Sequence, residues 1–259
     1  MNNKWYSALA VAILSAAAPA VGLAADYRAE VQGTYTQLQG PSDFPDLNAA
    51  WVQGRWFFSP VKTDGVPLAE AGFLGRASYI SALVARLESS FGVGVHELNA
   101  QAANVGYYIP GTMFFAGVSV SRNQYVSAVS STVVLKDYDT SWSGALGIAP
   151  VDGLLISTVV AERGYDPNIM ARYVAKLPNS HYYAAAVNIV DPDQGDTSFG
   201  VEFDYYFDDT FSAGLAYEDG GETLTGRVRK FFTPRFSVGG SYTNDDYFDT
   251  VNVDVALRF

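Results

Sequence analysis

Apolar and polar residues alternate with period two through the C-terminal half of the chain, which is the pattern of strands with one apolar and one polar face. Phe199, Val201, Phe203, Tyr205 and Phe207 oppose Ser198, Gly200, Glu202, Asp204 and Tyr206. Phe211, Ala213, Leu215 and Tyr217 oppose Ser212, Gly214, Ala216 and Glu218, and the sets around Val228, Val238 and Val253 repeat the pattern. At the other end, Tyr27, Ala29, Val31, Gly33 and Tyr35 oppose Arg28, Glu30, Gln32, Thr34 and Thr36. A second strand is predicted over residues 49–58 and a third beginning at Leu68. Alternation breaks over 81–95 and 123–138, which are read as strand extensions and longer external loops. The expected count is 14 strands; one hairpin more or fewer gives 16 or 12.

Two kinds of turn separate these strands, and they alternate. One kind is tight and flanked by aromatics, at Ser59-Pro60, Pro110-Gly111, Pro178-Asn179-Ser180, Asp208-Asp209-Thr210 and Thr233-Pro234-Arg235. Pro150-Val151-Asp152-Gly153 shares their place without the aromatics. The other kind is acidic, around Asp43 and Asp46, Asp137 and Asp139, Asp166, Asp191 to Asp196, Asp219 and Glu222, and Asp245 to Asp249. Aromatics beside every second turn form a belt at one level, as at a membrane interface, while a large apolar strand face opposite a small or charged one fits lipid outside and a wet interior. The fold class is therefore an all-β transmembrane antiparallel β-barrel. By analogy with other bacterial barrels, the aromatic end is periplasmic and the acidic turns face outward from the cell.

Composition sharpens this picture. A lone Lys4, an apolar stretch from Ala8 to Ala18 and the small-residue end Gly22-Leu23-Ala24 match a secretory signal peptide over residues 1–24, leaving 25–259 as the barrel. No later segment has the ~18 consecutive apolar residues of a spanning helix. The net charge of −11 disfavours a role that depends on binding nucleic acid or anionic lipid head groups through a generally basic surface, and the absence of cysteine removes disulfides and Cys-based metal sites.

The last nine residues, with Val251, Val253, Val255, Leu257 and Phe259 on one face, resemble the terminal strand that the barrel-assembly machinery of Gram-negative bacteria recognises. The segment Pro67 to Leu74, with the hairpin layout, is similar to a proteobacterial porin family. The resemblance implies an outer-membrane location, lipid and lipopolysaccharide as surroundings, possible homo-oligomers, and passive diffusion of ions or small hydrophilic solutes, with no cofactor.

By alternation, Arg28, Arg55, Arg76, Arg172, Lys176, Arg227, Arg229 and Arg258 face the lumen with Glu30, Glu70, Glu202, Asp204, Glu218 and Asp254. On opposite walls they would set a transverse field across a pore; paired, they would block a narrow barrel and leave a structural or surface-binding protein acting through its acidic loops. Fourteen strands lie between the filled eight-stranded barrel and the open 16- to 18-stranded porin, which favours a narrow pore. Asp191-Pro192-Asp193-Gln194-Gly195-Asp196 reads as a solvated turn rather than a Ca²⁺ loop. His96 and His181 are the only histidines, and no nucleophile or phosphate-loop motif accompanies them, so no catalysis is expected.

Overall fold

The computed structural model describes residues 26–40, 47–91, 94–130, 133–161, 164–191, 196–245 and 248–259, with side chains undescribed at 90, 91, 94, 95, 127–130, 133, 134 and 164–167. The proposed signal peptide lies outside the described residues. Among those described, fourteen strands run in chain order. They are β1 (Tyr27–Gln39), β2 (Leu47–Val61), β3 (Tyr79–Phe91), β4 (Gly94–Tyr108), β5 (Phe114–Ser130), β6 (Val133–Ile148) and β7 (Leu154–Ala161), then β8 (Gly164–Lys176), β9 (Tyr182–Val190), β10 (Ser198–Asp208), β11 (Phe211–Glu218), β12 (Thr223–Thr233), β13 (Phe236–Asn244) and β14 (Asp249–Arg258). Each is antiparallel to its sequence neighbours, and β14 pairs with β1, so the sheet closes. Closure is what lipid demands, because an unpaired edge has no water to satisfy it.

The burial pattern inverts that of a soluble protein. Phe203, Leu215, Val228 and Val253 on the apolar face are exposed, whereas Asp204 and Ser237 on the polar face are buried. Trp56, Phe58, Tyr107, Phe114, Phe207, Phe232 and Phe259 stand exposed at the end where β1 begins and β14 closes on it. Their level marks one membrane interface of the barrel.

The wall is uneven in height. Strand β5 has 17 residues and β6 has 16, against 8 in β7 and 8 in β11. The stretches expected to contain long external loops are strand almost throughout: β3 and β4 stay in register from Tyr79↔Gly106 to Phe91↔Gly94. Asp137 and Asp139 likewise belong to β6, and Asp166 to β8, rather than to turns. The reason is physical. Above the lipid an outward face has no need to be apolar, so the hydrophobic period disappears while the ladder of hydrogen bonds continues. Asp191, Asp196, Asp219, Glu222 and Asp245 do lie in connections at this end, and Asp249 opens β14. Asp43, Asp46, Asp193 and Asp246 fall outside the described residues.

A second departure lies at the opposite end. Ser59 and Pro60 are not a tight turn but part of β2, and no strand starts at Leu68. Residues 62–78 form one long connection containing a 3-10 turn over Leu68–Glu70 and a single helical turn over Ala71–Leu74. The run Leu68-Ala69-Glu70-Ala71 is rich in helix formers; Leu68 and Ala71 are buried inside the barrel, and Ala69 lines its cavities rather than turning to lipid. Ala71 packs with Tyr27, Phe57, Val61 and Ala77, while Phe73 and Leu74 pack against Val174, Tyr182, Ala184 and Tyr206. The segment thus leaves from β2, crosses the lumen and docks on β8 to β10. Leu68 N donates to Asp209 O at 2.8 Å, and the Tyr182 hydroxyl donates to Gly65 O at 2.7 Å.

Candidate functional site: a charged girdle inside the barrel

Alternation places one ring of ionisable side chains at the level where the crossing segment enters. Arg258, the last residue of β14, is buried and donates from Nε to Glu30 Oε2 at 2.6 Å and from Nη1 to Leu68 O at 2.9 Å. Its guanidinium lies 4.4 Å from the Tyr27 ring centre and 4.6 Å from that of Phe231. A buried arginine is tolerable only when its donors are satisfied in this way. Arg172 of β8 donates to Glu70 Oε1 at 2.6 Å, and the Tyr206 hydroxyl donates to the same oxygen. Glu70 is 4% exposed, so the crossing segment holds its carboxylate largely buried, with two donors on one oxygen.

On the β10–β12 side, Arg227 grips Asp204 with two bonds, from Nε at 2.7 Å and from Nη2 at 2.8 Å, and also reaches Glu202 at 2.8 Å. Arg229 is ion-paired with Asp254 at 3.0 Å. Arg55 differs from the others. Its guanidinium rests 4.8 Å from the Tyr79 ring centre, its Nε is buried without a hydrogen-bond partner, and it forms no ion pair among the described residues. Glu30 stands beside it in register but is engaged by Arg258.

The girdle therefore has five arginines and five carboxylates, yet the charges do not cancel locally. One arginine serves both Glu202 and Asp204 on β10, leaving a residual negative charge there, while Arg55 leaves a residual positive charge on β2. Strands β2 and β10 lie on nearly opposite sides of the closed sheet. A cavity of about 430 Å³ is walled by these residues, and a second, of about 300 Å³, adjoins it; Glu30, Arg55, Ala69, Glu70, Arg172 and Arg258 border both.

The four other expected lumen residues lie outside the girdle. A bulge between Tyr27 and Ala29 turns Tyr27 inward and leaves Arg28 exposed, away from both cavities. Arg76 lies on the 62–78 connection with φ 46° and pairs with Asp152 at 3.3 Å, outside the girdle. Glu218 lines a separate cavity toward the opposite end, with Met170 and Asn188. Lys176 sits near the aromatic rim, its Nζ 5.4 Å from the Tyr182 ring centre. Tyr206 and the Leu68 carbonyl join the site without having been singled out from the sequence; the signal for Tyr206 was its place in the polar set with Asp204. The two histidines lie at opposite ends of the barrel, and His181 Nδ1 is 2.6 Å from the Tyr205 hydroxyl.

Two glycines make room for the acids. Gly214 stands across the ladder from both Asp204 and Arg227, and a Cβ there would collide with the Asp204 carboxylate and the Phe203 carbonyl. A Cβ at Gly239 would meet the Asp254 carboxylate. Gly214→Ala and Gly239→Ala are each expected to destabilise the barrel by ~1–3 kcal/mol, read as a lower urea midpoint, because overpacking displaces an ion pair. Gly226→Ala, which meets only the end of Leu215, should leave the midpoint in place.

The fold is similar to that of the outer membrane protein Omp33 of Acinetobacter baumannii, with TM-score 0.71, 18% identity, and 91% of this chain and 100% of that chain covered. A triple mutant of the Rhodopseudomonas blastica porin aligns at TM-score 0.45 and 10% identity over 89% of this chain and 99% of that one. The KdgM porin, solved with disordered oligogalacturonate, aligns at TM-score 0.42 and 11% identity with the same coverage. No curated protein matches the sequence. A family described as "Putative general bacterial porin" matches residues 3–134, half of the chain. The chain belongs to this porin family: it is an outer-membrane β-barrel of a Gram-negative bacterium and a channel for small solutes.

Proposed function

We propose that ions and small hydrophilic solutes pass through the charged girdle, and that the 62–78 segment makes it the narrowest part of the path. The observation that carries this reading is the uncompensated pair of charges, Arg55 on β2 against Glu202 and Asp204 on β10, facing each other across a cavity wide enough for water. Polar groups at a constriction replace part of a solute's hydration, and their residual charge selects among solutes. The test is conductance of the purified protein in a planar bilayer under a salt gradient. Arg55→Gln is expected to shift the cation-to-anion permeability ratio toward cations by roughly two- to five-fold. An unchanged reversal potential in the variant would count against the girdle as the selective element.

A second reading is a barrel closed at rest, favoured by the buried, doubly bonded carboxylate of Glu70. Persistent silence in a correctly folded protein would support it. We further propose residues 1–24 as a cleaved signal peptide, the face of Val251, Val253, Val255, Leu257 and Phe259 as the assembly signal, and lipopolysaccharide as the outer-leaflet partner. Homo-oligomers are compatible with this reading. The family and fold point to a channel rather than an enzyme.

A further inference from the structure

The tall part of the wall carries a surface that conduction does not use. On β3 to β6, outward positions below the upper interface are apolar, ending at Val120 and its ladder partner Trp142. One alternation step higher, ~6.6 Å along the strand, stands Arg122 opposite Thr140. Beyond it lie Gln124 opposite Tyr138 and then Lys136. On the shorter side of the barrel the corresponding outward positions remain apolar, with Phe199, Leu224 and Val251 exposed.

The polar patch is divided electrostatically. On β3 and β4, Arg86 is held by both Glu88, at 2.6 Å, and Glu97, at 2.9 Å, so that half is net negative. On β5 and β6, Arg122 has no carboxylate among the described residues; its guanidinium lies 4.8 Å from the Tyr138 ring centre. Gln124 donates to the Tyr138 hydroxyl at 2.8 Å, which fixes the ring on which the guanidinium rests. Lys136 is exposed and forms no ion pair among the described residues. Two unneutralised cations thus project outward above a Trp142 that sits at the interface: Arg122, one alternation step up and held against an aromatic face, and Lys136, three steps up.

We propose that Arg122 and Lys136 form a docking site for the phosphorylated head group of the outer-leaflet glycolipid. The occupant follows from charge and height. A surface facing sideways above the hydrocarbon meets lipid head groups before any soluble partner, and a planar guanidinium with free donors is matched to phosphate oxygens. The inference rests on lipopolysaccharide as partner and deepens it by assigning the contact.

The test is native mass spectrometry of the detergent-extracted protein with bisphosphorylated lipid A and with the same lipid dephosphorylated. Wild type is expected to bind the bisphosphorylated form in preference, and Arg122→Gln/Lys136→Gln to bind it about ten-fold more weakly while keeping heat-modifiable mobility and conductance. Glu88→Gln/Glu97→Gln, on the neighbouring half, should bind as wild type does. Equal binding by wild type and the Arg122/Lys136 variant would overturn the site while leaving the glycolipid as partner. Wild type indifferent to the phosphates would overturn both. Loss of binding in the Glu88/Glu97 variant alone would move the site to the acidic half and overturn this assignment.

Discussion

Replacing residues 64–76 by a two-residue Asn-Gly turn is expected to raise single-channel conductance several-fold and to weaken ion preference. The segment is not a loop that happens to lie near the pore; five hydrogen bonds hold it across the lumen. Leu68 is tied by its N–H to Asp209 and by its carbonyl to Arg258, Gly65 is held by Tyr182, and Glu70 by Arg172 and Tyr206. Hydrogen bonds involving a charged group contribute ~1.5–3 kcal/mol each, so the crossing is stable relative to thermal energy and its removal is needed to widen the path. Glu70→Ala gives a graded form of the same experiment. It leaves Arg172 unpaired beside Phe73, at a cost of ~3–5 kcal/mol for breaking a buried pair, and is expected to increase fluctuation between conductance levels. A shortened protein with the conductance of wild type would mean that the constriction lies elsewhere.

Deleting Phe259 is expected to lower the outer-membrane level of the protein several-fold and to expose it to periplasmic proteases. Two causes converge on this residue. Its carbonyl accepts from Arg28 N at 2.7 Å and Ala29 N at 3.1 Å, and its own N–H donates to Ala29 O at 2.9 Å, so the deletion removes the last bonds that close β14 on β1. It also removes the exposed terminal aromatic of the proposed assembly signal. Phe259→Ala separates the two, because it keeps the backbone bonds and loses the ring. Normal levels for Phe259→Ala with low levels for the deletion would assign the effect to closure alone; normal levels for both would contradict the prediction. Quantitative immunoblotting of membrane fractions decides among these outcomes.

Much of the barrel was legible in the sequence because the signal is local. A pleated strand turns successive side chains to opposite faces, so a wall between lipid and water writes itself as period two. This held wherever lipid touches the strand, as from Phe199 to Phe207, and it gave the count of fourteen. It failed at Arg86, Glu97 and Arg122, where the strand rises past the lipid and the outward face turns polar. It failed again at Leu68 to Leu74, whose apolar residues face the interior of the barrel and pack on Tyr27 and Tyr206.

The amino-acid sequence by itself determined which residues form the wall, which faces meet lipid, and which end carries the aromatic belt. It also determined that charges such as Glu30, Asp204, Arg227 and Arg258 point inward. Only the tertiary structure decided how those charges pair. Glu30 finds Arg258 and Glu70 finds Tyr206 across 228 and 136 residues of chain, contacts set by closure of the sheet and by the crossing segment rather than by any nearby residue. Closure gives Glu30 to Arg258 and leaves Arg55 without a carboxylate among the described residues, since each acid meets whichever arginine the barrel's circumference and register bring within reach.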